Sequence, residues 1–260
     1  MFKYRKAELF TYLAIILLSV IFSILLIAYG YNAWFLFAVL IVIAPCGFSL
    51  HKIISYNILF SKIEKFYINS DYKTLDSYAE KNRKRFPFAR VFQINGYLES
   101  GNIDKYSEAY TGYKEKRSLA KTWQFKLESY KVFYDLLSGA TVEPKIAMRL
   151  ESNVDAEEVE IERNLCKTLD YFFRGDYERA EKQLGWLSKE GGSAFLKFVT
   201  QYVRYLTKAV FGEGEELSAS LRDAAYNEFL KNSLNYLENR ITQICTRETK
   251  DEAINLKDIK

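Results

Sequence analysis

The side chains able to do chemistry are few and scattered. The sole histidine, His51, stands beside Lys52 at the end of a long uncharged run. An imidazole can serve as a base, but at such a border it reads first as an interfacial polar residue closing a membrane span. One histidine excludes both an H-E-x-x-H zinc site and the paired Glu-x-x-His ligands of a di-iron centre. Cys46, Cys166 and Cys245 lie far apart with no C-x-x-C spacing, so no disulfide framework is needed to explain them. Cys166, between Leu165 and Leu169, reads as small core filler, and Cys245 reads the same way. Neither G-x-x-x-x-G-K-[ST] nor G-x-G-x-x-G occurs, so phosphate cradles of known form are missing. With 33 acidic residues in the chain, chance proximity would imitate a catalytic pair of carboxylates. The expectation is a chain with no catalytic, cofactor-binding or metal-ligating residues and no cofactor, and therefore not an enzyme.

One charged cluster stands out. Lys81, Arg83, Lys84 and Arg85, with Arg90 shortly after, end an expected helix just before Phe86-Pro87. Cations in a last turn complement the helix dipole. The same cluster could contact anionic lipid headgroups, each basic residue near a membrane surface contributing about 1 kcal/mol. No aromatic stacking module surrounds it and the net charge is only +4, so nucleic acid is not an expected partner.

These residues must be carried by something, and the composition says what. The chain has 260 residues, 49% hydrophobic and 16% aromatic, with 12 Gly and 3 Pro, which excludes a disordered or collagen-like chain. No charged residue falls between Glu8 and His51. A bilayer core needs about 20 residues per helical span, so this run has room for two. Tyr29-Gly30-Tyr31-Asn32 marks a turn, which predicts spans near Leu9–Tyr29 and Ala33–Leu50. Tyr29, Tyr31 and Trp34 cluster at the turn, as aromatics do at a bilayer surface. A cleaved signal peptide fits less well, because the apolar stretch is long and a second follows at once. Lys3, Arg5 and Lys6 precede the first span; Lys52, Lys62 and Lys65 follow the second. The positive-inside bias then puts both termini in the cytoplasm of a two-span cell-membrane protein.

From Lys52 onward apolar residues recur at helical spacing. Phe195, Val199, Tyr202, Leu206 and Val210 share one helix face; Tyr177, Ala180, Leu184 and Leu187 share another; Leu234, Leu237, Ile241 and Ile244 predict a late helix. Asp155 and Glu158 read as a capping-type helix start. No run alternates with period two, so the fold class is all-α. Ser70-Asp71, Gly101-Asn102, Gly139, Gly175-Asp176 and Gly212 are turn signals 31 to 38 residues apart. Such spacing predicts a solenoid of about five helix-turn-helix units, each burying its apolar face on the next.

The stretch Leu169 to Ala180 resembles a tetratricopeptide repeat (TPR). Tyr171 falls on the aromatic of the first helix, Gly175 and Tyr177 on the turn and second-helix start, Ala180 on the small residue, and Leu184 and Leu187 on later apolar positions. Around Asp71, Phe66, Ala79 and Pro87 match, while Leu75 replaces the small residue. Asn164 stands where the motif has tryptophan, and Lys167-Thr168 where it has Leu-Gly. The similarity covers Lys52 to Asn227. It implies a concave surface that binds peptides or partner proteins and does no chemistry.

The expected organisation is a membrane hairpin over 1–50, a cytosolic TPR-like domain over 51–246, and a flexible tail over 247–260. The expected function is a membrane-anchored adaptor or scaffold whose partners are membrane lipids and another protein. Two alternatives stand beside it: an accessory or immunity-type subunit of a membrane transporter complex, and an enzyme at the membrane interface using His51 and nearby carboxylates.

Overall fold

A computed structural model describes residues 6–30, 33–113, 119–151, 159–185, 187, 192–211, 215–237 and 240. Among the described residues every regular element is helical, as the absence of period-two patterning requires. The helices are α1 (Lys6–Ala28), α2 (Ala33–Ile68), α3 (Tyr72–Asn82), α4 (Phe88–Glu99), α5 (Ile103–Gly112) and α6 (Lys121–Leu137). They continue as α7 (Lys145–Glu151), α8 (Glu160–Phe173), α9 (Tyr177–Gly185), α10 (Ala194–Val210), α11 (Glu215–Ala224) and α12 (Glu228–Ser233). The chain divides into two compact units, 1–65 and 66–260.

In the first unit, α1 stops at Ala28 and the chain turns at Gly30, whose φ of 70° is one that side-chain-bearing residues seldom adopt. Phe10–Ala28 is a 19-residue run of mean hydropathy 2.8 and only 6% of it is buried. Among the described residues it is the one helix long and apolar enough to cross a membrane. The second apolar run does not end as a helix at Leu50. α2 continues without a break through His51 to Ile68, so His51 is an exposed mid-helix residue rather than a helix terminus. Beyond it, Ile53, Asn57, Phe60 and Ile63 form a buried stripe at helical spacing.

In the second unit, three helix-to-helix connections are built alike. Ser70 donates its N–H to Tyr67 and Asp71 to Phe66; Gly101 and Asn102 repeat this with Leu98 and Tyr97, and Gly175 and Asp176 with Phe172 and Tyr171. This is the Schellman closure, with the residue before the next helix cap in the left-handed region: Ser70 at φ 55°, Gly101 at 78° and Gly175 at 79°. The following Asp71, Asn102 or Asp176 accepts a backbone N–H from Thr74, Lys105 or Arg179 and so starts the next helix. One residue pair thus ends one helix and begins another. Gly139 is also left-handed at φ 78°, while Gly212 lies outside the described residues.

The helices stack in a chain-ordered way. α4, α6, α8 and α10 are successive neighbours, and α5, α7, α9 and α11 each pack on the helix before them. The arrangement is compatible with a helical repeat. Rings join the layers: Phe88 stacks on Trp123 at 5.1 Å, and Phe92 lies 5.6 Å from Trp123 and 5.4 Å from Tyr67.

Some helix boundaries differ from the sequence expectation. α9 ends at Gly185, so Leu187 sits in a short 3₁₀ turn outside it. The late helix starts earlier, where the Asn227 side chain accepts the Leu230 N–H, and α12 ends at Ser233. Ile241 and Ile244 lie outside the described residues, as do Asp155, Glu158 and the expected tail. α8 begins at Glu160, with Glu160 and Glu162 in its first turn.

Candidate functional site

The most elaborate side-chain constellation surrounds a residue the sequence does not single out, Glu99. It ends α4, a helix buried on nearly every face, and is itself 0% exposed. Tyr72 of α3 donates its hydroxyl to Glu99 Oε2 at 2.9 Å; Tyr130 of α6 and Ser193 donate to Oε1 at 2.6 and 2.8 Å. The main-chain carbonyl of Glu99 accepts the Tyr226 hydroxyl at 2.8 Å and the Asn227 amide at 3.0 Å. A carbonyl in a helix's last turn lacks an intrahelical partner, so these two donors satisfy it.

Ser193 and Asn227 each do two jobs. Ser193 accepts the Leu196 N–H to cap α10, and Asn227 accepts the Leu230 N–H to cap α12. Their donor groups face Glu99 while their acceptors start a helix. The junction therefore fixes where α10 and α12 begin relative to α4. Tyr67, buried at the end of α2, adds a fourth hydroxyl beside the carboxyl.

Burial drives the electrostatics. It pushes the Glu99 carboxyl up to about 7 from 4.5, and the hydroxyls of Tyr130, Ser193 and Tyr72 pull it part of the way back. The Tyr67, Tyr72, Tyr130 and Tyr226 hydroxyls are raised above their usual range, by burial first and by the carboxyl beside them second. No cation pairs with Glu99 among the described residues. One turn before Tyr130 on α6, Lys126 is committed to Glu162 of α8 in a buried ion pair. The Glu99 side chain is closed to solvent, while Tyr226 at the rim of the site is 42% exposed.

The basic cluster takes a different position. Lys81 lies exposed in the last turn of α3, which ends at Asn82, and Arg83, Lys84 and Arg85 lie exposed on the connection to α4. Arg83 pairs with Glu80 at 2.7 Å, and the Arg85 guanidinium lies over the Phe86 ring. Arg90 shares the Glu80 carboxylate with Arg83. It is half-buried on α4, bonded to Gln93 and 3.9 Å from Glu80. Arg90 also lines an open cleft of about 400 Å³ between α4 and α5 with Tyr97, Lys105 and Glu108.

The residues chosen for repeat packing come together around the α8–α9 turn, with one shift. Ala180 is 0% exposed and Leu184 is buried. The ring packed against Tyr177 is that of Phe172, at 5.4 Å, while Tyr171 is half-buried. Leu165, Cys166, Leu169 and Phe172 form the buried stripe of α8, and Tyr171 lies one residue to its side. His51 stands outside these constellations, and Cys166 is fully buried. No group of three or more potential metal ligands occurs among the described residues.

No known protein family, curated protein or solved structure matches the chain.

Proposed function

We propose that the chain is a membrane-anchored adaptor. α1 and the apolar first half of α2 form a two-span hairpin that turns at Gly30, with both termini in the cytoplasm. The second unit is a TPR-like stack that binds a partner protein. The observation that carries this reading is α1: 19 residues of mean hydropathy 2.8, left 94% unburied by the rest of the chain. At 1.5 Å per residue such a helix is about 28 Å long, close to the roughly 30 Å of a bilayer core. An exposed apolar surface of that length is stable in lipid and a liability in water. Tethering then raises the effective concentration of a membrane-bound partner without new contacts. The exposed Lys81, Arg83, Lys84 and Arg85 suit anionic headgroups as a secondary contact.

Photo-crosslinking in intact membranes tests the reading. A crosslinker placed at exposed Glu178 should give one discrete protein adduct, and the chain should resist alkaline extraction. A chain recovered in the soluble fraction, or membranes that yield no adduct, would contradict it.

A further inference from the structure

The Glu99 junction has a physical consequence that an adaptor reading does not require. A carboxyl group with no solvent contact must find its counter-charge in the protein or remain neutral. The groups facing Glu99 are Tyr67 from the end of α2, Tyr72 from α3, Tyr130 from α6, Ser193 ahead of α10, and Tyr226 and Asn227 ahead of α12. All are uncharged. Of the other buried charges on α6 and α8, Lys126 pairs with Glu162 and Asp170 with Arg174, while Glu128 accepts the Tyr110 hydroxyl. Protonated, Glu99 brings no charge into its ring of hydroxyls. Ionised, it adds one uncompensated negative charge that only hydroxyls can stabilise.

We propose that Glu99 is a proton-binding site whose protonated form holds the starts of α10 and α12 against α3, α4 and α6, and whose ionised form loosens that junction. Burial without a counter-charge sets the direction of the coupling, against the three donated hydrogen bonds, and the geometry gives its route. Ser193 caps α10 through the same oxygen that donates to the carboxyl, and Asn227 caps α12 while donating to the Glu99 carbonyl. A change at Glu99 thus reaches two helix starts 94 and 128 residues away in sequence. A carboxyl raised from 4.5 to about 7 lies where modest pH changes alter its charge. The sign follows from linkage. The folded chain binds the proton more tightly than the unfolded one. The contribution is therefore full below about 4.5 and is lost as pH rises through about 7.

The test uses the full chain in detergent micelles. Between about pH 5.5 and about pH 8 the folding constant should fall roughly 30-fold through this one group. Glu99→Gln, which stays neutral, should remove that part of the slope. Infrared titration of the unaltered protein reads the same group directly and does not depend on the variant folding. A buried protonated-carboxyl band should be present near about pH 6 and fade by about pH 8.5. Absence of the band at the lower pH, its persistence at the higher, or an equal slope in a folded Glu99→Gln protein would overturn the proposal.

Discussion

At the scale of single residues, the second unit is held by a few buried groups whose replacement should separate packing from polarity. Ala180 is 0% exposed on α9, where a larger side chain would have to displace its neighbours. Overpacking of this kind costs typically about 1–3 kcal/mol, so Ala180→Leu should lower the unfolding midpoint clearly. Glu178→Ala, on the exposed face of the same helix, should cost under about 0.5 kcal/mol. Equal effects in a thermal melt would refute the packing assigned to α9. Lys126 and Glu162 make a sharper case, with side chains only 7% and 2% exposed. Lys126→Met leaves Glu162 charged and unpaired, which should cost about 3–5 kcal/mol. The double change with Glu162→Leu should recover most of that loss, because two apolar groups need no partner. Ala180 was legible in the sequence through its place in a helix-turn-helix pattern. Glu99 was not. It is one of 33 acidic residues, and its cage comes from hydroxyls 27 to 94 residues away. The one available signal was α4 itself: apolar residues fall around most of the helix between Phe88 and Leu98, so most of the polar residues it carries are buried.

At the scale of elements, the connections were the most readable part of the chain because turn chemistry is local. A left-handed residue followed by Asp or Asn specifies its own geometry, and Ser70, Gly101 and Gly175 adopt it. Gly175 has no atom within 4 Å of where a Cβ would stand, so Gly175→Ala should cost only the backbone term, about 1–2 kcal/mol. Gly139→Ala should cost more. It meets the same backbone penalty, and its Cβ would lie 2.7 Å from the Tyr236 ring. Reversal of that order, measured by denaturant unfolding, would show that the segment around Tyr236 does not pack on Gly139. The ends of helices set by distant partners were illegible. α12 starts at Asn227 because that side chain serves both Leu230 and Glu99, and periodicity alone ran the helix through Leu234. The neighbour of Tyr171 was illegible for a related reason. Two aromatics in succession both fit the repeat pattern, and only packing shows that Phe172 faces Tyr177.

At the scale of the whole molecule, the chain joins an apolar helix exposed along its length to a unit with its own aromatic core. The helical character of both was legible in hydropathy and period. The closing of the stack was not, since Tyr134 stacks on Phe229 and Arg240 donates to the Asp135 and Ala140 carbonyls across about a hundred residues of sequence. A fragment beginning at Lys52 should be soluble and helical with a cooperative melt, because 66–260 forms a compact unit by itself. An insoluble or non-helical fragment would contradict an independent domain. The most direct test of the anchored-adaptor account is topology in intact cells. Single cysteines would be placed at Asn32 and at Glu178 in a chain whose Cys46, Cys166 and Cys245 are replaced by alanine, then exposed to a membrane-impermeant thiol reagent. The account predicts labelling at position 32 alone until the membrane is opened, after which position 178 reacts as well. Labelling at position 178 in intact cells would contradict it.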